Sequence, residues 1–467
     1  MTTSTTGETT TLAKELRARQ FFTLAFGAII GVGWVVVLGE WLGQAGPLGV
    51  VLAFAAGGFV MMLVGLCYAE MATLLPVSGG EVAYAHEAFG VEVSFAAGWL
   101  LTLAYLSTTA FEAISVGWIL SALLPGVDVP GGDLAIGLGG MALLTLLNYR
   151  GAKSAAAFQD LLTWGLIAIS SVFIAAGLVF GDAANLRPFF RESSGWSGAL
   201  SVFMTTPFWF AGFNTIPQLM EEKAPGVPLK VVGQSLLLSI GSAALFYCLV
   251  VVACSMTMPW LRLLDFELPA ASAFEAGLHS PLLAKAVLVA AVLGLLTTWN
   301  AVFLCASRVL FSLGRARILP QAFGRIHGIF GSPSVAVVFT GLVASVLVLM
   351  GRQALLHLVN VAATCLASGF LLTSLGVIRL RTTRADSARP YRVPGGRITA
   401  AAGASGSLLM LLLSLYLPYR GAGGRVPIEW IVFLAWAVAG VAFWLMGASI
   451  REKMSGSERR KRILGMG

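Results

Sequence analysis

Apolar residues along this chain are gathered into long runs, which polar and glycine-rich stretches interrupt. Runs of about 20 residues recur from end to end, and that length is what an α-helix needs to cross a hydrocarbon core of about 30 Å. The pattern predicts twelve helical spans. They cover residues 21–40, 47–74, 89–123, 132–149, 156–180, 197–221, 229–258, 283–314, 334–350, 353–379, 398–418 and 427–448.

The composition supports a membrane protein and argues against a soluble domain. Of the 467 residues, 57% are hydrophobic and 11% are charged, whereas soluble domains carry about 25% charged residues. The five cysteines lie within apolar runs without CxxC spacing, so we expect buried thiols and no metal ligands among them. The sequence therefore predicts a polytopic all-α membrane protein.

Basic residues are divided unevenly between alternate loops. With the N-terminus placed in the cytoplasm, the cytoplasmic segments hold 22 lysines and arginines and the outer segments hold 7, while Arg308 lies inside span 8. Basic loops stay on the cytoplasmic side, so we expect a multi-pass protein of the cytoplasmic (inner) membrane with both termini inside. The net charge of +8 then reflects topology and contact with anionic lipid, and not nucleic-acid binding.

Two spans carry residues that interrupt a helix. In span 1, Gly31 and Gly33 flank Val32, and each glycine costs about 1 kcal/mol in a helix interior. In span 6, Gly212 and Pro217 weaken the helix, because proline lacks a backbone donor. Interrupted segments at matching places in two halves point to a transporter's binding site. Spans 1 and 6 each begin a block of five, so we predict two inverted repeats.

Five stretches, taken together, resemble the amino acid–polyamine–organocation permeases. They lie, in the family's order, at residues 27–33, 68–90, 208–213, 306–320 and 391–395. The resemblance covers essentially the whole chain and implies a leucine-transporter-type fold of five-plus-five inverted repeats, with discontinuous helices 1 and 6. The chain then divides into a cytoplasmic N-terminal tail (1–20), a first repeat (21–180), a second repeat (197–379), helices 11 and 12 (398–448) and a basic cytoplasmic tail (449–467).

An amino acid has a carboxylate and an ammonium on one carbon, and interrupted helices offer free peptide groups to both. The resemblance implies that the carboxylate binds three backbone N–H groups, those of Gly31, Val32 and Gly33. It implies that the ammonium binds three backbone carbonyls, those of Ile29, Phe208 and Ala211. Phenylalanines of span 6 are expected to line or close the pocket, with core packing as the alternative for each: Phe208, Phe210 and Phe213.

Glu112 lies in the middle of span 3, far from either end of the span. An acid at membrane depth is expensive and is a candidate for function. The sequence leaves three roles open for Glu112: it carries a proton, it binds a cationic group of the substrate, or it hydrogen-bonds span 1 or span 6.

The coupling ion is open between Na⁺ and H⁺, and no other cofactor or metal is expected. Several proton-coupled relatives have a lysine in the middle of span 5, where this chain has Gly165. The resemblance implies instead a possible sodium site of oxygen ligands, which suit a hard cation. Its members are the carbonyls of Gly27 and Ile30 and the hydroxyls of Thr297 and Thr298. The alternative is that both threonines hydrogen-bond their own helix.

Three further charged residues are expected to serve structure or gating. Arg308 is expected to pair with a carboxylate such as Glu70 or Asp160, or with carbonyls at a helix end. Glu221 and Glu222 are expected to belong to the charge network of an inner gate or to cap the loop, and not to bind a metal.

These observations favour a secondary active transporter that moves an amino acid by alternating access, driven by an ion gradient or by exchange. A polyamine or ethanolamine-like amine is the alternative substrate, and a non-pumping channel or receptor is the alternative of another class. The four histidines lie apart in the sequence, so we expect no catalytic cluster and no enzyme. Spans 11 and 12 lie outside the repeats and are expected at the periphery or in a homodimer interface.

Overall fold

A computed structural model describes residues 16–77, 79–123, 131–151, 155–220 and 223–464. These residues form nineteen α-helices and no β-strand, as the apolar runs predict. The helices are α1 (Ala18–Ile29), α2 (Gly33–Val36), α3 (Leu38–Leu74), α4 (Gly80–Phe89), α5 (Val91–Leu123), α6 (Gly132–Arg150), α7 (Ala155–Phe180), α8 (Gly195–Trp209), α9 (Thr215–Gln218), α10 (Leu229–Thr257), α11 (Trp260–Leu263), α12 (Pro269–Ser272), α13 (Pro281–Arg315), α14 (Ser334–Val348), α15 (Leu355–Thr383), α16 (Arg397–Gly421), α17 (Ile428–Met446), α18 (Ala448–Glu452) and α19 (Gly456–Ile463).

The long helices make this chain a multi-pass membrane protein. Within the described residues, ten helical segments are long and apolar enough to cross a membrane, with α1 and α2 counted as one. Two other predicted spans correspond to helices of only 15 residues, α8 and α14. α8 is short because its span is interrupted after Trp209. The count of twelve crossings therefore stays a prediction.

Two boundaries are set by glycines with positive φ. The turn signal at Gly46-Pro47 corresponds to a kink inside α3, where Gly46 has φ +70°. A Cβ on Gly46 would lie 2.8 Å from the backbone of Phe190, so the bend requires glycine. Gly90, with φ +101°, ends α4. Span 3, predicted from residue 89, therefore begins at Val91 as a separate helix.

The interrupted helices lie at the centre of the bundle. α1 packs against α7, α10 and α13, while α8 packs against α3, α15 and α16. α5 and α13 pack along each other and bring Glu112 and the two threonines toward the break in the first span. All residues from 25 to 38 are buried. The unwound backbone is thus enclosed by protein, the condition under which it is tolerated at membrane depth.

The basic C-terminal tail packs partly on the protein. Ile463 of α19 is fully buried, and the guanidinium of Arg460 lies 2.8 Å from the carboxylate of Glu87 on α4. Arg384 pairs with the same carboxylate. Part of the segment predicted to meet anionic lipid therefore contacts the end of the bundle that carries α4, called the α4 end below.

α17 is anchored on α5 by a pair of tryptophans. The rings of Trp99 and Trp436 stack with centroids 4.3 Å apart, and each indole N–H donates to the other residue's carbonyl at 2.8 Å. The outward side chains of α16 and α17 include exposed Leu412 and Leu434. Such a surface suits lipid, and the predicted homodimer through these helices stays a prediction.

Candidate functional site

The first predicted break is present, at Ile30 to Val32. α1 ends at Ile29, and α2 begins at Gly33. The Ile30 N–H still bonds the Phe26 carbonyl, whereas the Gly31 N–H turns back to the Ile29 carbonyl at 3.1 Å. The helical ladder is therefore interrupted for about one turn, as the two glycines predict.

The second predicted break is also present, at residues 210–214. α8 ends at Trp209 and α9 begins at Thr215. Gly212 has φ +139°, and its N–H donates to the Asn214 side-chain oxygen at 3.0 Å. The Asn214 amide in turn donates to the Tyr105 hydroxyl at 2.7 Å. Asn214 therefore stabilises the turn that replaces the helix.

The two breaks touch through their backbones. A Cβ on Gly212 would lie 2.5 Å from the Ala28 carbonyl carbon and would also collide with the Ile29 nitrogen. Only a residue without a side chain permits this approach. The structure thus brings together the two interrupted segments that lie about 180 residues apart in the chain.

Tyr247 of α10 joins the carbonyl ends of the two helices. Its hydroxyl lies 3.1 Å from the Ile29 carbonyl oxygen and 2.9 Å from the Trp209 carbonyl oxygen. The predicted carbonyl of Phe208 accepts the Ala211 N–H within its own turn at 3.0 Å. The pair of carbonyls that converges on one point is therefore Ile29 and Trp209. Tyr247 was not predicted, because a tyrosine in an apolar helix carries no sequence signal of its own.

Glu112 reaches the unwound segment of the first span. It is 2% exposed, and its carboxyl lies close to the backbone N–H of Val32. A Cβ on Gly31 would collide with its Oε1 atom. Of the three predicted N–H groups, that of Val32 therefore lies close to an acid of the protein itself. Gly33 instead packs under the indole of Trp209, whose Cε3 atom lies 2.9 Å from the place of a Cβ.

The residues predicted for a sodium site also lie together. The Thr297 and Thr298 hydroxyls donate to the Gly27 carbonyl at 2.8 Å and 3.0 Å. Thr297 also bonds the Gly294 carbonyl of its own helix at 2.7 Å. The Ile30 carbonyl oxygen lies 2.7 Å from the place of a Gly294 Cβ. Thr297 therefore bonds both its own helix and α1, whereas Thr298 bonds α1. The oxygens of α1 and α13 converge, and the sodium site stays a prediction.

The span 5 residue that faces this cluster is Thr163. A Cβ on Gly27 would collide with its hydroxyl, which donates to the Thr23 carbonyl at 3.1 Å. Gly165, which the resemblance aligned with the relatives' lysine, meets Leu293 instead. Positions 163 and 165 lie on different faces of α7, because residues two apart in an α-helix do not share a face. Thr163, and not Gly165, therefore supplies the polar group that α7 presents to this cluster.

The three phenylalanines have different surroundings. Phe208 contacts Phe111 edge-on, with centroids 5.1 Å apart, beside Glu112 on α5. Phe210 packs near Tyr247 at 5.8 Å, and Phe213 stacks on Phe370 at 5.2 Å. Both are fully buried. Phe208 is the member of this set that packs on α5, whereas the other two pack toward α10 and α15.

A cavity of about 190 Å³ is lined in part by Trp209. Its lining comes from α3, α8, α15 and α16 and includes Trp41, Thr205 and Asn360. The Trp209 indole forms part of this lining and also covers Gly33. The ring therefore borders both the cavity and Gly33, the first residue after the break. Neither Trp209 nor this cavity was predicted.

Comparison with known proteins assigns the chain to a family. Residues 16–443 match the model of the amino acid permease family. The chain belongs to this family. It is 26% identical to the branched-chain amino acid permease BcaP of Bacillus subtilis, over 97% of this chain and 96% of that protein.

Other relatives extend over most of the permease as well. A methylthioribose transporter of Bacillus subtilis is 25% identical over 95% of each chain. The mouse b(0,+)-type amino acid transporter 1 is 24% identical over 95% of this chain and 90% of its own length. The permease is accordingly a transporter and not an enzyme, as the sequence predicts.

The surroundings of three charged residues of the permease were predicted from the sequence. Arg308 donates to the Gln218 carbonyl at 3.3 Å, at the end of α9, which is one of the predicted alternatives. Glu70 and Asp160 pair with other arginines, at Arg381 and Arg19. Glu221 and Glu222 lie outside the described residues.

A buried acid, Glu81, lies at the α4 end of the permease, next to Asn214 of the second break. The Glu81 carboxyl accepts hydrogen bonds from the Tyr68 hydroxyl at 3.1 Å and the Gln218 amide at 3.0 Å. Burial raises the pKa of this carboxyl from 4.5 to about 7, although the hydrogen bonds from Tyr68, Asn214 and Gln218 oppose the rise. Glu81 therefore holds a proton at a pH where an exposed glutamate has lost it.

The raised pKa of Glu81 predicts a pH-dependent stability. Between pH 4.5 and about 7 the folded chain keeps a proton that the unfolded chain has released. The contribution of the protonated carboxyl to the free energy of unfolding is present in full below this window. It is lost as the pH rises through the window, by about 3 kcal/mol in total. Thermal unfolding in detergent should show a flatter pH profile for Glu81→Gln than for the native permease. An exposed control, Glu458→Gln, should keep the native profile; parallel profiles for all three proteins would contradict the prediction.

Proposed function

We propose that the permease moves an amino acid or a related amine across the cytoplasmic membrane by alternating access, with the substrate bound between the two breaks. The observation that carries this proposal is the meeting of Gly212 with Ala28 and Ile29, which puts two interrupted helices against each other in a buried site. Broken helices at the centre of a bundle supply free peptide groups for a charged substrate. The Trp209 ring, which borders both the cavity and Gly33, is placed to act as one gate.

The packing supports the proposed five-plus-five repeat. If the spans are numbered as predicted, span 2 packs on span 7, span 3 on span 8, and span 4 on span 9. Span 1 packs on span 5, and span 6 packs on span 10. Spans 5 and 8, and their counterparts 10 and 3, also form contacts. An internal two-fold relation between the blocks 21–180 and 197–379 would produce these matched pairs.

The proposed orientation rests on charge. With both termini inside, the basic residues of the α4 end and of the tail face the cytoplasm. This agrees with the rule that cytoplasmic loops carry an excess of lysine and arginine. The tail after residue 449 would then lie at the anionic lipid surface as well as against Glu87. The N-terminal residues 1–15 lie outside the described part of the chain.

We further propose Na⁺ as the coupling ion, with H⁺ as the alternative. The support is the convergence of the Gly27 carbonyl with two hydroxyls of α13, beside the Ile30 carbonyl. Neutral oxygens in this number suit a hard cation. No group of three or more metal-binding side chains of His, Cys, Asp or Glu occurs in the described residues, so backbone and hydroxyl oxygens are the ligands available here.

Removing the Thr298 hydroxyl is expected to weaken sodium dependence. Each hydrogen bond or ligand bond to a charged group contributes about 1.5–3 kcal/mol, so Thr298→Ala should raise the sodium concentration for half-maximal uptake by about tenfold or more. Thr298→Ser keeps the oxygen and should behave as the native chain. Thr340→Ala is the matched control, because this buried threonine of α14 bonds its own helix at 2.9 Å. Sodium-independent uptake by all four proteins would favour H⁺ coupling.

The proposal is tested with purified permease in liposomes. The named substrates of the relatives include branched-chain amino acids and methylthioribose, so the panel should contain the twenty amino acids, simple amines and methylthioribose. A secondary transporter accumulates its substrate against a gradient when Na⁺ or H⁺ is supplied on one side, or exchanges it for internal substrate. Equilibration without accumulation or exchange would indicate a channel, and saturable binding without flux would indicate a receptor.

A further inference from the structure

The last helix of the described chain, α19, is held against the α4 end by apolar side chains and by an ion pair. Ile463 is fully buried and Leu464 is 8% exposed, although both belong to a strongly basic tail. The Arg460 guanidinium lies 2.8 Å from the carboxylate of Glu87 on α4, and that carboxylate is 3% exposed. A buried apolar side chain and a charge pair with a buried carboxylate together fix α19 in one docked position.

The docked helix contacts α4 and α13 together. A Cβ on Gly79, the residue before α4, would lie 3.4 Å from the Ile463 carbonyl oxygen and 3.3 Å from the Ser312 hydroxyl of α13. Arg459, which is 9% exposed, donates to the Arg451 carbonyl at 2.5 Å and so ties α19 to α18. The tail therefore folds back and bridges two helices that lie far apart in the sequence.

The same two helices hold α9, the short helix that follows the second break. On the α4 side, the Glu81 carboxyl accepts the Gln218 side-chain amide at 3.0 Å. On the α13 side, the Arg308 guanidinium donates to the Gln218 carbonyl at 3.3 Å. A Cβ on Gly80 would lie 2.8 Å from the Gln218 Nε2 atom, so α9 and α4 also approach closely. α9 can leave the α4 end only if these contacts break.

The α4 end is the closed end of the bundle in this arrangement. Gln218 is fully buried there and Glu81 is 2% exposed. The cavity of about 190 Å³ is instead lined by residues at the remote ends of their helices, such as Trp41 near the start of α3 and Asn360 near the start of α15. Alternating access requires the two ends to open in turn. Opening of the α4 end must therefore separate α9 from α4 or from α13.

We propose that α19 is an autoinhibitory clasp: docked on α4 and α13, it holds the α4 end closed and slows the opening that alternating access requires. The inference rests on the proposed transport mechanism and adds a regulatory segment that lies outside both repeats. Opening changes the surface that α4 and α13 form together, so the Ile463 and Arg460 contacts stabilise the closed arrangement more than the open one. A substitution that undocks α19 shifts the population toward the open arrangement by the difference.

The test measures opening at the α4 end in a way that does not depend on a known substrate. Cys305 of α13 is a native thiol that is 3% exposed and lies near both Glu81 and Arg308, so we expect it to react when α9 separates. Its modification by a water-soluble maleimide is followed by mass spectrometry of the purified full-length permease. Arg460→Glu replaces the ion pair by repulsion, and Ile463→Asp puts a charge at the buried position. Each should raise the rate of Cys305 modification about tenfold.

The matched control is Lys461→Glu, which makes the same change of charge on the neighbouring, exposed residue of α19 and should keep the native rate. Cys254, a fully buried thiol near the other end of α10, reports general unfolding and should stay unmodified in all four proteins. In liposomes, the maximal uptake of any substrate that the panel identifies should rise several-fold in Arg460→Glu and Ile463→Asp, and not in Lys461→Glu.

Three results would overturn the clasp: equal or slower modification of Cys305 in the two undocked variants, an effect of Lys461→Glu as large as that of Arg460→Glu, or unchanged maximal uptake in both undocked variants. If Cys305 modification depends on the tail while no substrate of the panel is bound or moved, the proposed transport function fails and the contact between the tail and the α4 end stands. The two failures are therefore distinguishable.

Discussion

Alanine at Gly212 is expected to abolish transport. The added Cβ would lie 2.5 Å from the Ala28 carbonyl carbon and 2.7 Å from its oxygen. These are backbone atoms, so the collision is relieved only if the two breaks separate. Overpacking of this kind costs about 1–3 kcal/mol, and a positive φ costs a non-glycine residue about 1–2 kcal/mol more. Uptake of whichever substrate the panel identifies should decrease to less than about a tenth of the native rate.

The matched control for Gly212 is Gly226. Gly226 also has a positive φ, at +87°, but no atom lies within 4 Å of the place of its Cβ. Gly226→Ala therefore carries the backbone strain without the collision. We expect this variant to keep its uptake and to lose a little stability. Equal uptake by the two variants would show that close contact between the breaks is not needed for transport.

Removing Glu70 is expected to have the largest effect on stability. This 1% exposed carboxylate at the end of α3 accepts from Arg381 at 2.9 Å and 2.5 Å, from Arg389 at 3.2 Å and from the Val393 N–H at 2.8 Å. It ties the segment between α15 and α16 to α3. Loss of one partner from a buried ion pair costs about 3–5 kcal/mol, because the remaining charge is left uncompensated. Glu70→Ala should therefore melt several degrees below the native permease in detergent.

An exposed ion pair provides the comparison for Glu70. Glu458 pairs with Arg462 one turn away at 2.8 Å, and both side chains are at least a third exposed. Such pairs contribute about 0.3–0.5 kcal/mol, so Glu458→Ala should leave the melting temperature almost unchanged. Similar melting temperatures for Glu70→Ala and Glu458→Ala would mean that the Glu70 pairs do not hold the α15–α16 segment.

Several features of the site followed from local sequence. The glycines around Val32 and the Gly212–Pro217 segment predicted both helix breaks, because backbone propensity acts within one turn. Glu112 stood out for the same kind of reason, as an acid in an apolar run. Thr297 and Thr298 were placed by resemblance, and the structure puts their hydroxyls on the Gly27 carbonyl.

Other features depended on which faces of distant helices meet. Tyr247, Trp209 and Thr163 are ordinary residues for apolar helices, and nothing in their neighbours along the chain marks them. Each has a partner on α1 or α2 that is more than a hundred residues away in the chain: Ile29 for Tyr247, Gly33 for Trp209 and Thr23 for Thr163. The packing of Ile463 and Arg460 beside α4 could not be predicted from the sequence either, since a basic tail can bind either lipid or protein.

The sequence alone determined the membrane class, the positions of most helices and the two places where helices stop, because hydrocarbon length and glycine or proline chemistry are local constraints. Only the tertiary structure decided that Gly212 lies on Ala28 and Ile29, that Tyr247 joins the carbonyls of Ile29 and Trp209, and that the Glu112 carboxyl lies against Gly31. These contacts depend on the rotation and the depth of each helix in the bundle. Rotation and depth are set by packing against several neighbours at once, and no single apolar run encodes them.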